Sequence, residues 1–174
     1  MADYVPFGGA AYFALFGLLA FSRAMDFLST WIATPNLVLE GNPIAKKLGW
    51  KWSIALSLVF CVAFAVSPLP AIVISTTSIL VAGRNFQAAW LMRSMGEEAY
   101  RQWFLEQISR ARLPFFFLCL LGETALTGLV GAALLRFSGM ESVPFAIGLG
   151  ILAYAAIVLF YTALSLWRLR RRMG

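Results

Sequence analysis

Residues 61–75, CVAFAVSPLPAIVIS, join two long apolar runs through Ser67-Pro68-Leu69-Pro70. Proline has no backbone N–H, and it pushes the residue before it out of the helical region. The two prolines therefore form either a tight turn between two helices or a kink within one long helix. The choice decides the number of helices in the fold, and the rest of the sequence bears on it.

The composition is that of an integral membrane protein. Of the 174 residues, 61% are hydrophobic and 13% are charged, and the mean hydropathy is +0.80. A soluble domain averages about 45–50% apolar and about 25% charged residues. These values exclude a soluble globule or a disordered chain and predict one all-α membrane domain over residues 1–174.

Five apolar runs approach the roughly 20 residues that cross a bilayer. We predict spans at about residues 7–33, 50–67, 71–93, 113–136 and 143–167. The first run begins almost at the N-terminus and has no basic region before it. It is also longer than the apolar core of a signal peptide, so we interpret it as a retained span.

Basic residues favour the turn over the kink. With a turn, eleven of the fourteen basic residues lie in or beside residues 34–49, 94–112 and 168–174. A kink would move the basic residues of 93–112 to the opposite side from Lys46, Lys47 and Lys51. The positive-inside rule therefore predicts five spans, with the N-terminus outside and the C-terminus in the cytoplasm. All six tryptophans then fall near the cytoplasmic interface, which indole prefers.

Two segments outside the spans are predicted to lie at the membrane surface. Between spans three and four, apolar residues recur at 100, 103, 104, 108 and 111, which is helical spacing. We predict a short amphipathic helix there, on the cytoplasmic surface. The C-terminal Arg168, Arg170, Arg171 and Arg172 are predicted to anchor the topology and to attract anionic lipid.

Four charged side chains lie deep within the predicted spans: Arg23, Asp26, Arg84 and Glu123. Each costs about 2.5–3.5 kcal/mol on insertion scales, so such groups face the bundle interior and find partners. Arg23, Arg84 and Glu123 each lie about ten residues, or about 15 Å, from the cytoplasmic ends of their helices. We expect the four charges to meet at one level. The candidate pairs are Glu123 with Arg23 or Arg84, and Asp26 with Arg84, and the sequence does not choose between them.

Polar residues extend this cluster along the same helix faces, since residues three or four apart are neighbours on a helix. The loop after span one either folds back, so that Glu40 and Asn42 cap the cluster, or forms a surface turn at Asn42-Pro43. The candidate site residues are Arg23, Asp26, Ser29, Thr30, Glu40, Asn42, Arg84, Asn85, Glu123 and Thr127.

Asp26-Phe-Leu-Ser29-Thr30, followed by Glu40-Gly41-Asn42-Pro43, resembles a pattern in an uncharacterised family of small prokaryotic multi-pass membrane proteins. The similarity covers about residues 20–45. It implies a site at these residues and a prokaryotic inner (cytoplasmic) membrane, but no particular activity.

Three functions remain open at this stage. We favour a structural role, in which the charged cluster fixes helix packing in an accessory subunit of a membrane complex or in a homo-oligomer. The alternative is a cytoplasm-facing polar cavity that binds or transports a small solute, ion or proton. The third is an intramembrane enzyme, which we favour least because no lysine lies deep within a span, so the sequence offers no Ser–Lys dyad there. The chain has no His and its two cysteines are far apart, so we expect neither metal nor cofactor. We interpret the net charge of +6 as a topology signal rather than a sign of nucleic-acid binding.

Overall fold

The protein is an all-helical bundle. The structure is a computed structural model that describes the backbone of residues 4–173 and the side chains of residues 4–167. The helices are α1 (Ala10–Ala33), α2 (Pro43–Phe64), α3 (Pro68–Met95), α4 (Glu97–Arg110), α5 (Leu113–Phe137) and α6 (Val143–Met173). Five of them, all but α4, are long and apolar enough to cross a membrane. The predicted fold class and number of spans are confirmed.

The prolines at 68 and 70 form a turn, not a kink. Helix α2 ends at Phe64, and α3 begins at Pro68 after Ser67 in an extended conformation. Both prolines thus lie in the first turn of α3, where a helix does not need their missing N–H groups. The chain reverses direction between residues 65 and 67, which makes two spans of this region.

Helix α2 starts earlier than predicted. The Asn42 side chain accepts a hydrogen bond from the Ile44 amide, and Pro43 is the first helical residue. The backbone then breaks at Gly49, whose φ is +70°, a value that glycine adopts without steric cost. The predicted start near residue 50 therefore coincides with this break, and residues 43–48 form a short separate turn of helix before it.

The spans pack in the order α1, α3, α6, α5, with α2 only loosely attached to α1 and α3. Glycines allow close crossings: a Cβ built at Gly150 would lie 2.6 Å from Cβ of Thr76 on α3, and one at Gly131 would lie 2.8 Å from the Gly148 carbonyl on α6. Such small residues let helices approach where apolar lipid provides no hydrophobic drive. Helix α3 is therefore the centre of the bundle.

The two ends of the bundle are distinct. At one end, the Val5 amide donates to the Val66 carbonyl, so the N-terminal segment lies on the α2–α3 turn. At the other end, residues 34–42, which we call the capping segment, contact α4 and approach Ser165 of α6. The segments predicted to share the cytoplasmic side therefore lie at one end of the molecule.

Candidate functional site

A cavity of about 480 Å³ lies between α1, α2, α3, α6 and the capping segment. The wall combines side chains from all five of these elements. Of the ten predicted site residues, seven line this cavity: Arg23, Asp26, Thr30, Glu40, Asn42, Arg84 and Asn85. The fold brings these seven side chains to one cavity, and their role in binding stays a prediction.

Arg23 connects three helices at the cavity wall. Its Nη1 donates to Oδ2 of Asp26 at 2.7 Å and to the hydroxyl of Ser78 on α3 at 3.2 Å. Its Nε donates to the hydroxyl of Ser57 on α2 at 2.9 Å. Asp26 is therefore paired with Arg23 of its own helix, and the expected pairing of Asp26 with Arg84 is wrong. Spacing of three residues on one helix allows this local pair, which needs no tertiary contact.

Asn85 joins α3 to α1 on the other side of the cavity. Its side-chain amide donates to the hydroxyls of Ser29 and Thr30, each at 3.2 Å. Ser29 is fully buried, and its own hydroxyl donates to the Asp26 carbonyl. Ser29 is therefore not a lining residue but accepts a hydrogen bond from the lining residue Asn85, whereas Thr30 lines the cavity itself.

Glu123 and Thr127 lie outside this cavity. Arg84 forms an ion pair with Glu123 across α3 and α5, and the Thr127 hydroxyl donates to the Glu123 carbonyl within α5. The four intramembrane charges therefore form two separate ion pairs rather than one cluster. Of the two partners that were open for Glu123, the structure selects Arg84.

Helix α6 carries no charge between Val143 and Leu166, and no α6 residue is among the ten predicted site residues. The helix nevertheless contributes Tyr161, Thr162 and two aliphatic residues to the cavity wall. Trp50, predicted only as an interface residue, also lines the cavity, and its indole N–H donates to the Pro35 carbonyl at 2.9 Å. The sequence of an apolar span does not show whether an uncharged hydroxyl group lines a cavity or packs against another helix.

The residue that sequence analysis missed altogether is Glu97, at the start of α4. Its carboxylate accepts hydrogen bonds from the Thr34 hydroxyl at 2.6 Å and from the backbone amides of Asn36 at 2.9 Å and Val38 at 3.1 Å. The Asn36 side-chain amide adds a fourth bond at 2.8 Å. One carboxylate thus holds the first half of the capping segment over the cavity. About sixty residues separate the partners, so no local pattern reveals the contact.

The surroundings of Glu97 also shift the pKa of its carboxyl group. Burial acts to raise the pKa of this carboxyl, but the hydrogen bonds from Thr34, Asn36 and Val38 outweigh it, and the pKa is lowered from its usual 4.5. A lowered pKa means that the folded state favours the charged form. The stabilisation is therefore fully present above pH 4.5 and is lost as the pH falls through the lowered pKa of the folded state.

Replacing Glu97 by glutamine should release the capping segment. The variant keeps the size of the side chain but loses the charge, and a hydrogen bond to a charged group contributes about 1.5–3 kcal/mol. We expect hydrogen exchange of the Asn36 and Val38 amides, corrected for intrinsic rates, to speed up by about tenfold to a hundredfold at pH 7. In the native protein, protection of the same two amides should decrease as the pH falls below 4.5 and through the lowered pKa of Glu97. The matched control is Glu98→Gln, since among the residues that the structure describes Glu98 bonds only Arg101, on the surface of α4. Equal exchange in both variants would refute the role of Glu97.

Comparison of the chain with protein-family models, with curated proteins and with solved structures gave no match. The similarity at residues 20–45 noted above stays a prediction. The fold itself defines the class: this is a multi-pass membrane protein with five candidate spans. Its bundle encloses a cavity with charged and hydroxyl side chains in its wall, and the capping segment lies at one end of this cavity.

Proposed function

We propose that the protein binds a small polar solute or ion in the cavity between α1, α2, α3 and α6. The observation that carries this proposal is the convergence of Arg23, Asp26, Arg84 and Glu40 from three elements on one cavity within a membrane bundle. Ionisable groups at membrane depth are costly, and they mark binding sites or ion pathways more often than not.

The chemistry of the wall suits a ligand that carries charge or several hydrogen-bonding groups. The guanidinium groups of Arg23 and Arg84 can hold an anionic group, whereas Asp26 and Glu40 can accept from a donor or exchange a proton. Because the two signs are balanced, a zwitterion or a polar neutral solute fits better than a bare multivalent ion. The apolar portions of Phe27, Val81 and Ile157 complete the wall, as expected for a small-molecule site.

We further propose that the protein lies in a prokaryotic inner membrane with its N-terminus outside and its C-terminus in the cytoplasm. The excess of basic residues at one end supports this orientation. The cavity and capping segment then belong to the cytoplasmic half. A cysteine replacing the exposed Glu98 should be labelled by an impermeant maleimide only after cells are opened, and one replacing the exposed Met140 in intact cells. The opposite labelling pattern would reverse the orientation.

The basic C-terminus belongs to the same proposal. Arg168, Arg170, Arg171 and Arg172, whose side chains lie outside the described residues, would then face anionic headgroups of the inner leaflet, at about 1 kcal/mol for each basic residue near the surface.

Filling the cavity should abolish binding without harming the fold. Ser53 lines the cavity on α2, whereas Ala55, two residues further along the same helix, is exposed on the outside. Native mass spectrometry of protein released gently from its host membrane should show a small molecule of defined mass on the native chain and on Ala55→Phe. The molecule should be absent from Ser53→Phe. If both variants retained the small molecule equally, the molecule would be bound outside the cavity.

The same spectra test the alternative that the protein is an accessory subunit. A stoichiometric second protein, with no small molecule on any variant, would favour that function and assign the intramembrane charges to helix packing.

A further inference from the structure

The Arg84–Glu123 ion pair is open to the surroundings of the bundle. The side chain of Arg84 is 35% exposed and that of Glu123 is 49% exposed. Helices α3 and α5 hardly touch each other directly, since both pack on α6 instead. The pair therefore spans an open groove whose floor is α6. This groove, with Arg84 on one wall and Glu123 on the other, is here called the charged groove.

The depth of the charged groove makes its exposure costly. Glu123 lies ten residues from the start of α5 at Leu113, and Arg84 lies eleven residues from the end of α3 at Met95. At 1.5 Å per residue each charge is about 15 Å from its helix end, near the middle of a hydrocarbon core about 30 Å thick. Lipid tails offer no hydrogen bonds, so the exposed parts of both charged groups need protein partners there.

We propose that a second copy of this chain covers the charged groove through a two-fold contact. The groove carries one positive and one negative group, so it is complementary to itself. A two-fold axis would bring Arg84 of each copy to Glu123 of the other, as an isologous interface requires. Two ion pairs would then become one closed network of four charges, in which each carboxylate meets a second guanidinium.

The outer edge of the groove permits this contact. Cys119 lies one turn before Glu123 on the same face of α5 and is exposed, so this wall is open to an approaching helix. Polar groups across an interface strengthen contacts between helices in membranes. Arg84 also lines the cavity, but the proposal does not depend on solute binding, and its test uses no ligand.

The test is the number of chains in one assembly in lipid bilayers. We expect single-molecule photobleaching of protein carrying one fluorophore per chain to show two steps at low protein-to-lipid ratio. Cys119→Trp places a large side chain on the groove side of α5, one turn from Glu123. It should weaken dimerisation by about tenfold or more. Gly17→Trp, at an open site on α1, should leave it unchanged.

Charge exchange distinguishes contacts between copies from the pair within one chain. Arg84→Glu and Glu123→Arg should each be monomeric, because two like charges would meet in the groove. Mixed in one bilayer and labelled in two colours, the two variants should form heterodimers. A native chain that bleaches in one step at every density would overturn the proposal. So would equal dimerisation of Cys119→Trp and Gly17→Trp, or a stoichiometric second protein in place of the second copy in native mass spectra.

Discussion

Replacing Arg23 by leucine is expected to lower the free energy of unfolding by about 3 kcal/mol or more. Arg23 bonds Asp26, Ser57 and Ser78 at once, so its loss detaches α2 from the polar contacts of α1 and α3. The larger part of the effect comes from Asp26, whose side chain is only 18% exposed and would be left without its cation. Removing one partner of a buried ion pair typically costs about 3–5 kcal/mol.

Unfolding by sodium dodecyl sulfate in mixed micelles, followed by circular dichroism, measures this effect. The matched control is the double variant Arg23→Leu/Asp26→Leu, which removes both charges and should recover most of the lost stability, because no charge is left unpaired. Equal destabilisation of the single and double variants would show that the bonds to Ser57 and Ser78, rather than the ion pair, support the fold.

The second large effect is expected from adding one methyl group at Gly150. The new Cβ would lie 2.6 Å from Cβ of Thr76 and 2.9 Å from the Val73 carbonyl, too close for either atom. Helix α6 also holds α3 here through a hydrogen bond from the Thr77 hydroxyl to the Gly150 carbonyl at 3.0 Å. Because neither backbone can give way without separating the helices, Gly150→Ala should cost about 1–3 kcal/mol.

Gly17→Ala provides the control for Gly150→Ala. Gly17 is within α1 and a Cβ there meets no atom within 4 Å, so the substitution should stabilise the helix by about 0.5–1 kcal/mol. Thermal unfolding in detergent should therefore shift in opposite directions for the two alanine variants. A neutral or stabilising Gly150→Ala would show that α3 and α6 do not approach as closely as the structure has them.

Local physics explains why the fold was predictable. The apolar runs, the prolines at 68 and 70 and the distribution of lysine and arginine each act over a few neighbouring residues or through the membrane itself. They define five spans, the short helix at 97–110 and the turn between α2 and α3 without any knowledge of packing. The rule that intramembrane charges face the bundle interior likewise needs no knowledge of packing, and it identified Arg23, Asp26 and Arg84 as candidate site residues.

Partner choice was not predictable in this way. The sequence analysis placed four charges at one level, but Arg23 and Asp26, three residues apart on α1, satisfy each other. The order α1, α3, α6, α5 then leaves Glu123 facing a groove rather than the cavity. The order and rotation of the helices decide which polar faces meet. Close contacts at glycines, such as Gly150 against Thr76, set both the order and the rotation.

The sequence by itself therefore determined that the protein lies in a lipid bilayer and that it has five candidate spans. It also identified the charged and polar residues that need partners within the membrane. The tertiary structure alone decided that seven of those residues surround one cavity, that Glu97 holds the capping segment through Thr34 and that α6 forms part of the cavity wall. The reason is the range of the interactions. Hydropathy and proline act locally along the chain, whereas a carboxylate that bonds residues about sixty positions away acts only after the helices have packed.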